Sequence, residues 1–274
     1  MSVHANAAGE SISHGNGAAI DDLPSGANGF TVMIWANPVA FANLGTYAAK
    51  GAPGGPGTGW RLLLSGTGGA FIFGIERETT DASCTTSTTI SSAAWNCIGA
   101  TYEDGKTGND AQMYFGTLTA AITEAGYSAN DDGLGAIRAD AGLNLYVGNL
   151  DFGTDFDFPA DAHIGQIQVF SKRLSVAEMI SQQFRPHMTA ETVLFTRYHG
   201  TGFLTDISGN GFNGTNDSCT SEDSVPLASL WASDEPVPYA TACRSGRRTS
   251  PSGRANAPIQ PERSSSSTTN TATI

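Results

Sequence analysis

Alternating apolar and polar residues divide most of this chain into short segments. The clearest is 30–37, FTVMIWAN, where every second side chain from Phe30 to Ala36 is apolar and Pro38 follows. Period-two alternation of this kind is typical of β-strands. Similar runs recur at 60–64, 70–75, 85–90, 96–102, 112–115, 143–147, 164–170 and 193–198. Clusters of Gly, Pro, Asn and Asp separate these runs, which predicts an all-β antiparallel β-sandwich.

One segment has a helical pattern instead. Residues 175–184 begin with Ser175, and Glu178 follows three positions later, the spacing of a capping box. Pro186 should end the helix. The segment 117–142 is long for a connection between strands, and we expect it to carry an insertion over one face of the sandwich.

Composition supports the all-β prediction and narrows the function. The chain has 274 residues with 33 glycines and 15% charged side chains, a composition unlike that of coiled coils or helical bundles. A net charge of −12 argues against nucleic-acid binding by the folded body. We find no apolar run of the ~20 residues that a membrane-spanning helix needs, so no membrane insertion is expected. The first residues show no secretory signal.

The C-terminal part differs from the rest in charge and composition. We expect a sandwich domain over 1–232, including a closing segment 190–232, and an irregular tail over 233–274 rich in Pro, Arg, Ser and Thr. Residues 1–243 have a net charge of −16, whereas the tail carries five arginines. These are Arg244, Arg247, Arg248, Arg254 and Arg263. The tail is either a solvated segment or an arm that docks on an acidic neighbour, including another copy of this protein.

Four motifs in one order resemble a known family. They are FTVMIWANP at 30–38, WNCIGATYEDG at 95–105, IGQIQVFSKRLS at 164–175 and DISGNGFNGT at 206–215. Together they are similar to the concanavalin A-like superfamily, specifically to laminin-G-like jelly-roll domains of the bacteriophage and bacterial surface type. The resemblance covers roughly 14–232 and implies a jelly-roll sandwich. The Asp206 turn is expected to be structural, with Gly209, Gly211 and Gly214 supplying positive φ angles.

Two features depart from the family pattern. The DxSGNG turn often opens such domains, but here it follows the body. The acidic pair that the family carries in its "IDEV" strand is replaced by Gly165 and Gln166. Any role of those carboxylates in the family is therefore in doubt for this chain.

The same fold includes laminarinase-type glycosidases, which carry Glu-x-Asp-x-x-Glu on one strand. Glycoside hydrolysis needs two carboxyl groups roughly 5–9.5 Å apart. The nearest approach here is ERETTD at 76–81, which has the wrong spacing and is interpreted as a solvated loop. No Gly-x-Ser-x-Gly elbow is present either. We therefore expect no catalytic residues and no enzymatic activity.

Sugar binding would use an exposed aromatic ring flanked by polar groups. Trp60, which follows a Gly-rich loop, and Tyr127, in the long insertion, are the candidate stacking residues. Asp161 and His163, at the edge of one strand, are candidate polar partners; the alternative for them is ordinary surface polarity. For each Trp, the alternative is that its ring packs in the core of the sandwich.

No cofactor is required by these motifs, but calcium is possible. Asn149, Asp151, Asp155 and Asp157 fall in one short loop beside a predicted strand end and are oxygen ligands of the kind calcium takes. The alternative is a polar loop anchored by its three phenylalanines.

Two of the four cysteines flank a predicted turn. Cys84 and Cys97 could face each other across an antiparallel pair at disulfide distance. Without a secretory signal, buried free thiols are an equal alternative.

These observations leave three classes of function. We favour a non-catalytic structural or attachment protein displayed on a larger assembly, such as a decoration or fibre protein of a phage-like virion. Its partners would be other protein subunits, and glycans or a host surface would be recognised at the virion or extracellular surface. The alternatives are a free-standing lectin-like module and, against the carboxylate pattern, a laminarinase-type glycoside hydrolase.

Overall fold

The computed structural model describes residues 2–7, 9–51, 57–106, 109–150, 158–198 and 204–222. The predicted domain boundary at 232, the tail 233–274 and its five arginines lie outside these residues. The described strands are β1 (Ser2–Ala5), β2 (Ser11–Ser13), β3 (Phe30–Pro38), β4 (Thr46–Lys50), β5 (Trp60–Leu64), β6 (Phe71–Ile75), β7 (Ala82–Thr86), β8 (Asn96–Tyr102), β9 (Ala111–Thr117), β10 (Thr123–Glu124), β11 (Tyr127–Asp131), β12 (Leu145–Val147), β13 (Ala162–Phe170), β14 (Thr192–Arg197), β15 (Thr215–Asp217) and β16 (Thr220–Glu222). Helix α1 spans Val176–Phe184, and a short 3-10 turn spans Leu23–Ser25.

The strands form two antiparallel sheets that pack face to face, which confirms the predicted sandwich. Sheet A has the order β10-β9-β8-β3-β13-β1-β16, and β14 also pairs with β13. Sheet B has the order β11-β7-β6-β5-β4-β12-β2-β15. Neighbouring strands in both sheets are often distant in sequence, so segments from both ends of the described chain meet on the same sheet.

The main core lies between the two sheets. Phe30 of β3 is fully buried, and its ring lies 5.4 Å from that of Trp60 and 5.8 Å from that of Phe73. The alternate residues Val32 and Ile34 face the same core. The period-two pattern of this strand is therefore confirmed.

A second core lies on the outer face of sheet A. Met33 and Trp35, on the other face of β3, pack with Met179 of α1. The helix has the predicted capping box, in which the Ser175 side chain accepts from the backbone N–H of Glu178 and the Glu178 carboxylate accepts from that of Ser175. Because α1 covers this face, β3 is apolar on both sides.

The structure corrects several details. The predicted strand 85–90 lies instead at Ala82–Thr86, and several strands of two to five residues escaped prediction because such short segments give little periodicity. The segment 117–142 does more than cover one face. Its strands β10 and β11 extend the edges of sheet A and sheet B, respectively. No helix among the described residues is long and apolar enough to cross a membrane.

Candidate functional site

Three turns meet at one end of sheet B and enclose a polar groove of about 660 Å³. The first turn, 14–19, follows β2; the second, 210–213, precedes β15; Asn144 precedes β12. β2 lies between β12 and β15, so antiparallel pairing brings these ends together. The described residues that line the groove are Ser13, His14, Gly15, Asn16, Gly17, Ala18, Ala19, Asn144, Asn210, Gly211, Phe212, Asn213 and Thr215.

Amide and hydroxyl side chains dominate this lining. The Asn16 side-chain amide donates to the side-chain oxygen of Asn144 at 2.9 Å, which links two walls of the groove. The side-chain oxygen of Asn213 accepts from the backbone N–H of Asp206 at 2.9 Å. Asn16, Asn213 and Thr215 are exposed. The groove therefore presents both hydrogen-bond donors and acceptors to solvent.

The 210–213 wall is held by Asp206, as the sequence predicts for this turn. Its carboxylate accepts from the backbone N–H groups of Phe195 at 3.1 Å, Ser208 at 2.9 Å and Phe212 at 3.0 Å. Gly209 and Gly211 have the predicted positive φ angles, but Gly214 does not. A Cβ on Gly214 would instead lie 2.8 Å from the Ile12 side chain, so close packing excludes a side chain there.

His14 lies at the base of the groove and joins two of its walls. Its Nδ1–H donates to the Phe212 carbonyl at 2.7 Å, and its Nε2 accepts from the Tyr198 hydroxyl at 2.7 Å. Burial lowers the pKa of His14 from 6.5 to about 4, against the opposing effects of the Phe212 carbonyl and the Asp206 charge. The imidazole is therefore neutral at physiological pH.

A buried lysine stabilises the opposite wall. The fully buried Lys50 ammonium lies 2.8 Å from the carboxylate of Asp21 and 3.0 Å from that of Asp140. It also donates to the carbonyls of Asp140 at 2.9 Å and Leu143 at 2.8 Å. Burial is the largest single influence and opposes ionisation of Asp21, but the hydrogen bonds from Lys50 and Gly17 and the Lys50 charge together outweigh it and lower the pKa of Asp21. Lys50 thus connects the turn after Gly17 with the one before Asn144.

Trp60 and Tyr127 are not exposed stacking platforms. Trp60 is 1% exposed and packs against Phe30 in the main core, so its prediction as an exposed sugar platform is wrong. Tyr127 is half-buried against the same core. Its hydroxyl contacts the backbone N–H of Met113 at 3.0 Å and the carboxylate of Glu124 at 3.1 Å, which ties β11 to β9.

Asp161 and His163 lie close together, on sheet A and away from the groove strands. The ring of His163 lies 4.4 Å from that of His4, directly opposite it on β1. The Asp161 carboxylate lies 3.3 Å from His4 Nε2. His4 was missed because it lies in a four-residue strand that alternation does not reveal.

Of the four residues of the calcium prediction, only Asn149 lies among the described residues. Asn149 is buried, and its side-chain oxygen accepts from the backbone N–H groups of Leu150 at 2.6 Å and Phe158 at 2.9 Å, a loop-closing role. Asp151, Asp155 and Asp157 lie outside the described residues. Within the described part of the chain, no three His, Cys, Asp or Glu side chains are grouped to hold a metal ion.

Of the two alternatives for Cys84 and Cys97, the disulfide is wrong, and free thiols are what the structure contains. Cys84 lies on β7 of sheet B and faces the main core, whereas Cys97 lies on β8 of sheet A and faces the core under α1. Burial raises the pKa of the Cys84 thiol to about 12. Neither thiol is therefore set up for reaction.

The loop interpretation of 76–81 also needs correction at its first residue. Glu76 is 8% exposed and pairs with Arg61 at 2.7 Å, so it is not solvated. Burial raises the pKa of its carboxyl group, partly opposed by Arg61.

At the altered family position, Gln166 is buried and donates to Gln168 at 2.9 Å. A carboxylate at that position would have to be buried.

Comparison with known proteins supports the fold. No protein-family model and no curated protein matches the chain. A protein from Bacteroides ovatus, provisionally named as carbohydrate binding, is similar with a TM-score of 0.53 and 14% identity over 80% of this chain, which spans 60% of that protein. A heptameric pentraxin from Limulus polyphemus has a TM-score of 0.41 and 14% identity, and the match covers 79% of this chain and 93% of the pentraxin chain. Domains LG4-5 of mouse laminin α1 have a TM-score of 0.38 and 15% identity, and the match covers 62% of this chain and 41% of the laminin chain.

The architecture is thus a two-sheet antiparallel jelly-roll sandwich, as the sequence predicts. At these identities the likeness concerns architecture alone. The groove's function has to be argued from its own chemistry.

Proposed function

We propose that this protein is a non-catalytic carbohydrate-binding module and that the groove at the end of sheet B is its binding site. The observation that carries the proposal is the lining, which combines three connected turns with exposed amide and hydroxyl groups. Sugars present vicinal hydroxyls that both donate and accept hydrogen bonds, and planar amides satisfy such pairs. A volume of about 660 Å³ lies within the range of ligand pockets, roughly 300–1,000 Å³.

The hydrogen-bonding capacity of the amides favours this ligand class. Asn16 donates to the Asn144 oxygen, and the Asn144 amide nitrogen lies 3.5 Å from the Tyr146 hydroxyl, so the oxygen of Asn16 and the second N–H of the Asn144 amide remain to meet a ligand. In Asn213 the side-chain oxygen is engaged by Asp206, which orients its amide nitrogen as a donor. Both kinds of group are therefore available along one groove.

The groove is also held rigidly by internal contacts. His14 joins β2 to the 210–213 turn, and Lys50 joins the turn after Gly17 to the one before Asn144. Rigidity of this kind favours binding because less side-chain and loop freedom is lost when the ligand arrives. Lys50 supplies a cation from the chain itself, which supports a site that needs no added metal.

The absence of catalysis is part of the proposal. The carboxylate of Asp206 is engaged by backbone N–H groups, and that of Asp21 by the Lys50 ammonium. Among the described lining residues there is no Asp or Glu to form the acid and base pair of a glycosidase. Incubation with bound oligosaccharides should release no new reducing ends, and release would contradict this part.

Binding is tested with the full chain on a glycan array, with and without a calcium chelator. The variants Asn16→Ala and Asn144→Ala should each lower the affinity for the best ligand about tenfold, because each removes hydrogen bonds to it. Asn28→Ala changes an exposed amide outside the groove and serves as the matched control. No binding by the unaltered protein, or equal binding by all three variants, would refute the proposed site.

Display on a larger assembly, such as a phage-like virion, is the second part of the proposal. It rests on the opposite charges of residues 1–243, net −16, and the five-arginine tail. Opposite charges on one chain favour association between copies or with another acidic subunit, and salt should weaken it. Sedimentation of the full chain at low and high ionic strength tests this: self-association that salt reverses is expected, and a monomer under both conditions argues against association between copies.

A further inference from the structure

We infer that the groove selects neutral glycans and discriminates against sulfated, sialylated and uronic-acid-containing ones. The inference rests on the proposed carbohydrate-binding function and adds the chemical class of the ligand.

The described lining offers no cationic side chain to compensate an anion. Of the described residues that enclose the groove, none is Lys, Arg, Asp or Glu. Recognition of sulfate or carboxylate groups in proteins generally relies on Arg, Lys or convergent backbone N–H groups. A sugar sulfate in this groove would lose hydration without gaining a cationic partner.

The charged groups that adjoin the lining are negative or already paired. Asp21 accepts from the backbone N–H of Gly17 at 3.3 Å, and Asp206 from that of Phe212 at 3.0 Å, so both place a carboxylate directly behind a lining residue. Lys50 contacts the Leu143 carbonyl next to Asn144, but its ammonium is fully buried and surrounded by oxygen atoms of this chain. It is therefore not available to an incoming anion.

His14 does not supply a positive charge either. Its two ring nitrogens are engaged by Phe212 and Tyr198, and its lowered pKa keeps the ring neutral in ordinary buffers. Over longer distances, residues 1–243 carry a net charge of −16, which repels polyanions most strongly at low ionic strength. Local and long-range electrostatics thus favour the same ligand class.

The test uses matched probe pairs that differ in charge. The full chain is titrated with N-acetyllactosamine oligomers in plain, sulfated and sialylated forms, and with dextran and dextran sulfate, in 150 mM salt. The neutral member of any pair that binds should bind at least about tenfold more tightly than its anionic counterpart. Equal or tighter binding of the anionic member that Asn16→Ala weakens, and that therefore takes place in the groove rather than on the five-arginine tail, would overturn the inference and leave the proposed function standing. Failure of every glycan on the array would overturn both.

A charge-introducing variant tests the physical cause. Thr215 lines the groove, is exposed and lies on the edge strand β15, so a longer side chain has room there. Thr215→Lys should raise the affinity for the sulfated probe about tenfold and so lower the ratio of the neutral-probe affinity to the sulfated-probe affinity. Thr215→Gln, of similar length without charge, is the matched control and should leave the ratio unchanged. A ratio that the two variants change equally would show that charge is not the cause.

Discussion

The outer face of sheet A and the groove at the end of sheet B are stabilised by different kinds of contact. On sheet A, helix α1 covers Trp35 and Met33 mainly with apolar side chains, and its two buried amides, Gln182 and Gln183, hydrogen-bond to Gln168 and to the backbone of 117–122. At the groove, segments far apart in sequence are joined by buried polar groups, among them His14 and Lys50.

The difference follows from the solvent exposure of each surface, since one is covered by a helix and the other stays open to water. A face that is buried under a helix can be stabilised mainly by apolar packing, provided that the few polar groups it buries are hydrogen-bonded. A groove that keeps a polar lining in water has no apolar cover, so its walls have to be fixed from behind by hydrogen bonds and ion pairs. Buried polar groups of this kind are strongly destabilising when one partner is removed.

The largest expected effect comes from the buried ion pair. Lys50→Met removes the ammonium but keeps most of the side-chain volume, leaving the Asp21 and Asp140 carboxylates without compensation. We expect a loss of about 3–5 kcal/mol in the free energy of unfolding, measured with urea. Adding Asp21→Asn should recover part of the loss, because one uncompensated charge is then removed.

The matched control for Lys50 is an exposed ion pair near the helix. Lys172 and Glu178 approach to 2.7 Å, but both side chains are largely solvent-accessible. Lys172→Met should leave stability nearly unchanged, since exposed pairs contribute little. Equal effects of the two substitutions would remove the contrast between the two regions.

The two regions also differ in what the sequence reveals. The strand at 30–37 and the helix after Ser175 were predictable because alternation and capping are local patterns. The Asp206 turn was predictable for the same reason. Its carboxylate contacts backbone groups within eleven residues in sequence.

The groove was not predictable in this way. His14 and Phe212 are 198 positions apart, and no local pattern indicates that their segments meet. Lys50 was missed because a lysine in a short strand is usually solvated, and only the surrounding oxygen atoms show otherwise. Trp60 was misplaced for the opposite reason: its position after a Gly-rich loop suggested exposure, but its strand turns the ring inward.

An intermediate effect is expected from pH through His14. The pKa of His14 is about 4 in the folded protein and 6.5 when unfolded, so between these values the unfolded chain binds more protons. The contribution of neutral His14 to the free energy of unfolding is fully present above pH 6.5. As the pH falls towards 4, this contribution is lost, and the free energy of unfolding drops by about 3 kcal/mol in total. Urea unfolding at several pH values measures this.

The comparison between variants isolates this residue from other titrating groups. His14→Gln should flatten the decline in stability between pH 6.5 and 4 relative to the unaltered protein. His187, which is exposed, provides the control, and His187→Gln should keep the original slope. If His14→Gln keeps that slope as well, another group is responsible for the acid sensitivity.

The smallest effect is expected at the cap of α1. Ser175→Ala removes the hydroxyl that accepts from the Glu178 backbone and should cost about 1 kcal/mol of unfolding free energy. Ser181→Ala, at an exposed position within the same helix, should cost nothing because alanine is the better helix former. Glycan affinity should be the same in both variants, since neither residue contacts the groove. A drop in affinity with Ser175→Ala would mean that the helix-covered face and the groove are energetically coupled, and the two regions could then no longer be treated as independent.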